Sequence, residues 1–266
     1  MAGAGSAREV AIDAARRAGA LLRQKVGRVR EVRRKGPVDL VTEADRASEE
    51  LILGAIRARF PEHAILAEES GALSGSAGEA AYRWLIDPLD GTTNFAHGYP
   101  FYAVSIALEA AGEVVLGVVY VPPLDELYVA ERGRGAWLNG RRLHVSQTAT
   151  LLEALVATGF LYDVDARGRN LPHWANFMHA TQAVRRDGSA AIDLCHVAAG
   201  RVDGYWEEGL APWDAAAGVL MVREAGGRVT GYRGELFGLG GPTCVASNGL
   251  IHDAMLRVLA RGMAAG

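Results

Sequence analysis

Residues 84–95 read WLIDPLDGTTNF, and how this stretch is read decides the fold. Trp84, Leu85 and Ile86 make an apolar run suited to a buried strand. The run delivers Asp87 to the strand's end, where Pro88, lacking an N–H, is expected to stop ladder pairing. Asp90 adds a second carboxylate, and Gly91 permits a tight backbone that turns the amides and hydroxyls of Thr92 and Thr93 inward. Carboxylates this close repel unless a positive charge lies between them, and hard divalent cations such as Mg²⁺ prefer carboxylate and carbonyl oxygens. The stretch therefore reads as a metal cradle beside an anion site. Taken alone it is equally an Asx turn leaving a strand, since Asp-Pro and Asp-Gly are ordinary turn dipeptides.

Toward the N-terminus, residues 64–67 read as a short buried strand that ends in Glu68, Glu69 and Ser70, so another carboxylate stands at a strand end. A small-residue loop is expected over residues 70–78. Upstream, Thr42 has the position of a helix N-cap, with Glu43 and Asp45 in the first turn and Leu51, Ile52, Ala55 and Ile56 on the apolar stripe. Asp45 there serves either the helix dipole or catalysis. Residues 25–35 carry six basic residues against one acid. They read as a solvated loop or edge ribbon, or as a lid whose Lys35 attracts a phosphorylated substrate. Ser6 and Glu9 form a capping-box pattern ahead of a first amphipathic helix.

Toward the C-terminus, residues 101–109, 113–120 and 127–131 are rich in β-branched and aromatic side chains and predict an antiparallel meander. Asn139-Gly140 adds a hairpin turn. Beyond about residue 150 the pattern alternates strands and helices, which divides the chain into an α+β subdomain over residues 1–149 and an α/β subdomain over residues 150–266. In the second part, Asp187-Gly188-Ser189 opens a helix, a strand over residues 202–206 ends at Glu207 and Glu208, and Pro212 starts another helix. Asp214 then lies in a first turn, where it serves the dipole or a metal. Residues 215–218 are all small, so this helix can pack closely on a neighbour.

Composition narrows the class. The 266 residues are 50% hydrophobic, enough for a sizeable core, and a net charge of -3 leaves no global positive field to draw nucleic acid or an anionic membrane. Cys195 and Cys244 lie in apolar surroundings and read as buried thiols rather than a disulfide framework or zinc site. The absence of a signal pattern or a spanning apolar stretch predicts a soluble cytoplasmic protein with no membrane partner.

With these residues assembled, the chain resembles the inositol monophosphatase family of lithium-sensitive, magnesium-dependent phosphatases. DPLDGTTNF at residues 87–95 and WDAAAG at residues 213–218 resemble its two signatures; PVDLVTEAD, AEES and GSAAIDL match in order. The resemblance implies the layered α-β-α-β-α sandwich shared with fructose-1,6-bisphosphatase, and two or three Mg²⁺ per site. Glu68, Asp87 and the Leu89 carbonyl would hold one ion, and Asp87, Asp90 and Asp214 the other, with Glu68 helping to hold a third. Gly91 and Thr92 would bind phosphate. Thr92 and Asp45 would orient and deprotonate the attacking water, and Asp90, Ser189, Ala190 and Glu207 would contact the polyol. The implied reaction is direct in-line hydrolysis of a small-molecule phosphate monoester, myo-inositol 1-phosphate or a similar sugar phosphate, without a phosphoenzyme. Fructose 1,6-bisphosphatase or NADP phosphatase activity is the alternative, with Arg185 or Arg186 widening the choice. Relatives are commonly homodimers, and some bacterial members associate with the transcription machinery, for which residues 25–35 would be the RNA or protein contact.

Overall fold

The computed structural model describes residues 3–27, 32–34, 40–75 and 81–263. The first part of the chain forms α1 (Gly3–Lys25), β1 (Val32–Arg34), β2 (Leu40–Thr42), α2 (Glu43–Arg59), β3 (Ala64–Ala67), β4 (Gly71–Leu73), β5 (Tyr82–Asp90) and α3 (Thr92–Ala96). It continues through β6 (Ala103–Ala110), β7 (Glu113–Val121), β8 (Glu126–Glu131), β9 (Gly135–Leu138), β10 (Arg141–Arg142) and β11 (Leu155–Thr158). The remainder is α4 (Leu171–Ala180), β12 (Ala183–Arg185), α5 (Ala190–Ala198), β13 (Gly204–Glu208), α6 (Pro212–Glu224), β14 (Arg228–Thr230), β15 (Thr243–Ser247) and α7 (His252–Met263).

Two sheets organise these elements. Eight strands pair in the order β10-β9-β8-β7-β6-β5-β3-β4, and five in the order β12-β11-β13-β15-β14. Strand side chains alternate between faces, so β5 feeds two cores at once. Trp84 and Ile86 pack under α1 and α2, while Leu85 packs with α5 and α6 on the opposite face. The far side of α5 and α6 meets the five-stranded sheet, and α4 and α7 cover that sheet's outer face over Phe177, Trp206 and Met255. The result is the α-β-α-β-α layering expected. The small residues of α6 permit the close approaches within it: a Cβ on Gly218 would stand 2.5 Å from Leu194 Cβ, and one on Gly117 of β7 3.0 Å from Ala217 Cα. Both cysteines are free and buried. Among the described residues no helix is long and apolar enough to cross a membrane.

Four local expectations change. Strand β5 does not end at Asp87. Its pairing with β6 runs through Asp87↔Ser105, breaks at a bulge, and resumes at Asp90↔Ala103. Pro88 cannot donate, yet a bulge absorbs it without ending the strand. The small-residue loop contains β4, whose backbone pairs antiparallel with β3 despite its low β-propensity. Helix α1 begins at Gly3, so Ser6 lies inside the helix and not at its cap. β11 and α4 had no counterpart among the expected elements, because Pro172 and short apolar clusters blur the periodicity there. Of the basic stretch, β1 forms an antiparallel ribbon with β2, as one reading allowed. Lys35 lies outside the described residues.

Candidate active site

The site sits where the bulge of β5 opens between the two sheets. Three backbone groups of the bulge lie against polar side chains. Leu89 N–H donates to Asp87 Oδ1 at 2.9 Å, Ser48 Oγ donates to the Pro88 carbonyl at 2.7 Å, and Thr92 Oγ1 lies 3.0 Å from the Leu89 carbonyl. Gly91 then turns the chain at φ 92, a left-handed conformation open to glycine, and a Cβ there would stand 2.8 Å from the Phe101 carbonyl. The turn starts α3 and brings Thr92 and Thr93 to the cleft.

The cleft encloses about 630 Å³, counting space open to solvent, and Glu68, Asp87, Leu89, Asp90, Gly91, Thr92, Ser189, Ala190, Glu207 and Asp214 all line it. Every predicted site residue except Asp45 is thus at one wall or another. Asp45 lies one bond behind: it is fully buried, accepts Thr42 N–H at 2.8 Å and the Thr42 hydroxyl at 2.5 Å, and takes Thr92 Oγ1 at 2.9 Å on its other oxygen. The capping box and the site contact are therefore the same carboxylate, so the dipole and catalytic readings are not exclusive. A threonine hydroxyl has one proton. When Thr92 gives it to Asp45, its lone pairs are left for a proton arriving from the cleft.

The three aspartates expected to hold metal each spend one oxygen on protein donors. Asp87 accepts from Leu89 N–H; Asp214 Oδ2 accepts from Ala211 N–H at 2.8 Å at the start of α6; Asp90 Oδ2 takes the Ser189 hydroxyl and Ala191 N–H, both at 2.7 Å. This fixes each side chain and leaves one oxygen with capacity for a ligand. Burial, then the charges of Glu68, Asp90 and Asp214, push the Asp87 carboxyl well above its usual range. Burial pushes Asp90 up to about 6 against the lowering effect of its Ser189 and backbone bonds. Burial, then Asp90, raises Asp214. Asp45 is also raised by burial, offset by its bonds to Thr42 and Thr92.

Among the described residues no group of three or more His, Cys, Asp or Glu side chains is drawn together as a preformed ion cage. The donor set nevertheless suits Mg²⁺. It consists of hard carboxylate and carbonyl oxygens, already oriented by backbone bonds, whose mutual repulsion a divalent cation would relieve. Glu68, Asp87, Asp90, Asp214 and the Leu89 carbonyl are the groups that fit it.

On the other wall, Glu207 hydrogen-bonds the Tyr205 hydroxyl, and burial raises its carboxyl to about 7, with Arg186 acting in the opposite sense. Gly159 lies against it. Sequence reasoning missed this residue, together with Phe160, Tyr162 and Asp193; Thr93, Arg186, Gly188 and Leu210 complete the lining. Asp193 is 1% exposed, its carboxyl hydrogen-bonds that of Asp187, and its Oδ1 has no partner. Burial and then Asp187 push its carboxyl well above the usual range. Its only sequence signal was an acid inside the apolar run of α5.

The model described as "Inositol monophosphatase family" matches residues 6–264. A Synechocystis protein named inositol-1-monophosphatase is 49% identical over 254 residues, 95% of this chain and 88% of that protein. The Nus factor SuhB of Pseudomonas aeruginosa is 46% identical, covering 94% of each chain. Among solved structures, the extragenic suppressor protein suhB of Bartonella henselae superposes with a TM-score of 0.92 at 44% identity, covering 97% of this chain and 99% of that one.

Proposed function

The chain belongs to the inositol monophosphatase family, a family of phosphatases, and from that premise we propose that it hydrolyses myo-inositol 1-phosphate or a closely similar polyol phosphate with Mg²⁺. The observation that carries the reading is one cleft lined by Glu68, Asp87, Asp90 and Asp214 beside a Thr92 hydroxyl that is 2.9 Å from the buried Asp45. The four acids and the Leu89 carbonyl would hold the cations. Bound Mg²⁺ supplies Lewis-acid polarisation and neutralises charge on the phosphoryl oxygens.

The chain's own residues do the rest. Gly91 and Thr92 present the start of α3 to the phosphate. Thr92 orients the attacking water and takes its proton while passing its own to Asp45, whose burial-raised affinity suits a proton acceptor. Glu207, Ser189 and the Ala190 backbone face the leaving alcohol, so they are the residues that select a polyol. Relatives named inositol-1-monophosphatase support that choice.

Phosphate release from inositol 1-phosphate, fructose 1,6-bisphosphate, NADP and histidinol phosphate, with and without Mg²⁺, tests the proposal, with Asp90→Asn as control. Mg²⁺-dependent release favouring inositol 1-phosphate and abolished in the variant is the expected result, with Li⁺ inhibiting. Equal release in all conditions would overturn it. A homodimer accompanies the proposal, checked by light scattering. Relatives named as Nus factors motivate a pull-down of transcription components with the same protein.

A further inference from the structure

Helix α2 does more than present Asp45. Ser48 and Glu49 follow it at i+3 and i+4, so all three share one helix face. Ser48 is fully buried and donates to the Pro88 carbonyl at 2.7 Å, which ties the helix to the bulge between Asp87 and Asp90. Glu49 is 3% exposed, and both its oxygens are used by the turn that follows Glu68: Oε2 accepts Glu69 N–H at 2.9 Å, and Oε1 accepts the Ser70 hydroxyl in a short bond. On the other side, Glu68 N–H donates to the Ile86 carbonyl at 3.1 Å, which extends the β3-β5 pairing by one residue. Glu68 is therefore held between the sheet and the Glu49 clamp.

We infer that α2 is the template that sets the spacing of the acidic cleft, and that Glu49 is a positioning residue which fixes Glu68 relative to Asp87 without touching substrate. Three segments that reach the cleft, at Thr92, at the bulge and after β3, are tied to the face of one rigid helix. A helix holds its side-chain origins more precisely than a loop does, and removing a group that orients a metal ligand typically costs about 10–100-fold in metal affinity or activity. The inference rests on the proposed Mg²⁺-dependent activity.

The test is Mn²⁺ binding, followed by the electron paramagnetic resonance signal of free Mn²⁺, on the parent, Glu49→Gln and Ser70→Ala. Metal-free unfolding midpoints and Mg²⁺-dependent turnover are measured alongside. In Glu49→Gln the amide oxygen can accept from only one of the two donors and the Ser70 hydroxyl must turn to accept from the amide NH₂, so two charge-assisted bonds are replaced by weaker neutral ones. The expected result is an Mn²⁺ dissociation constant raised about 10–100-fold, with kcat at saturating Mg²⁺ within about threefold of the parent. The Mg²⁺ requirement shifts in step. Ser70→Ala removes the other donor at an exposed turn and is expected to weaken Mn²⁺ by about threefold or more; it decides the matter if Glu49→Gln does not fold. Mn²⁺ affinity within twofold of the parent in the folded variants, with only the metal-free midpoint lowered, makes Glu49 a purely structural residue and overturns the inference alone. A parent that binds no Mn²⁺ and needs no Mg²⁺ overturns the proposed function as well.

Discussion

Substituting Gly159 by alanine probes Glu207 without changing it. A Cβ at residue 159 would lie 2.0 Å from both Glu207 carboxylate oxygens, whereas ordinary contact begins at 3.4 Å. The carboxylate must therefore retreat by about 1.4 Å, beyond the range at which a 2.7–3.2 Å hydrogen bond survives. The backbone of Gly159 is not left-handed, so alanine adds no dihedral strain. A hydrogen bond that a substrate hydroxyl donates to a carboxylate is worth about 1.5–3 kcal/mol, which corresponds to roughly 10–150-fold. The expected outcome for Gly159→Ala is a fall of about that size in kcat/KM for inositol 1-phosphate, with kcat/KM for p-nitrophenyl phosphate, which has no polyol, within about threefold of the parent. Steady-state phosphate release on both substrates, together with a melting curve to confirm folding, reads the result. Equal losses on both substrates, or no loss on either, would refute the assignment of Glu207 to the polyol.

Removing the hydroxyl in Thr92→Val is expected to lower kcat by about 10²–10⁴-fold, the usual contribution of a positioned proton acceptor, while Mn²⁺ affinity measured by calorimetry stays within about threefold. In Gly218→Ala the new methyl meets Leu194 Cβ at 2.5 Å, so α5 and α6 must separate; a loss of about 1–3 kcal/mol in urea unfolding is expected. His252 is fully buried between the Thr230 and Ser247 hydroxyls, each at 2.9 Å, and burial followed by Arg228 lowers its pKa to about 4 from 6.5. The unfolded chain then binds the proton that the folded chain refuses. Stability from this group is whole above pH 6.5 and is lost as pH falls toward 4, by roughly 1.4 kcal/mol per pH unit at most. The acids of the cleft titrate in the opposite sense over the same range, so the quantity to measure is the parent's urea stability minus that of His252→Gln. A difference that stays flat from pH 7 to 4 would rule out the linkage.

What the sequence made legible followed from local chemistry. The buried apolar run of β5, the Thr42 cap, the Asn139-Gly140 turn and the small face of α6 are each set by a few neighbouring residues, and each appears as read. The acids could be placed on one cleft because motif order carried long-range information that periodicity does not. The misreadings share a different cause. Pro88 predicts a lost donor, but the tolerance of a bulge depends on Ser48, which lies 40 residues away in sequence. Gly159 becomes part of the cleft only through the packing of the chain after β11 and carries no local signature, while Asp193, within GSAAIDL, showed only as an acid in the apolar run of α5. The burial of Asp45 joins the cap and a cleft contact in one carboxylate, which accepts from Thr42 on one oxygen and from Thr92 on the other.

The bonds that seat Asp90 have a kinetic corollary. Its partners, the Ser189 hydroxyl and Ala191 N–H, lie 99 and 101 residues further along the chain. Closing so long a loop is slow relative to forming the β5-β6 hairpin, so during refolding the eight-stranded sheet can mature while this aspartate still lacks its anchors. Asp90 is thus held only once α5 has docked, and the proposed metal capture would report on that docking rather than on the sheet that supplies most of the acids. A newly made chain remains inert until its second half has been synthesised and seated, which ties the onset of hydrolysis to the completion of folding.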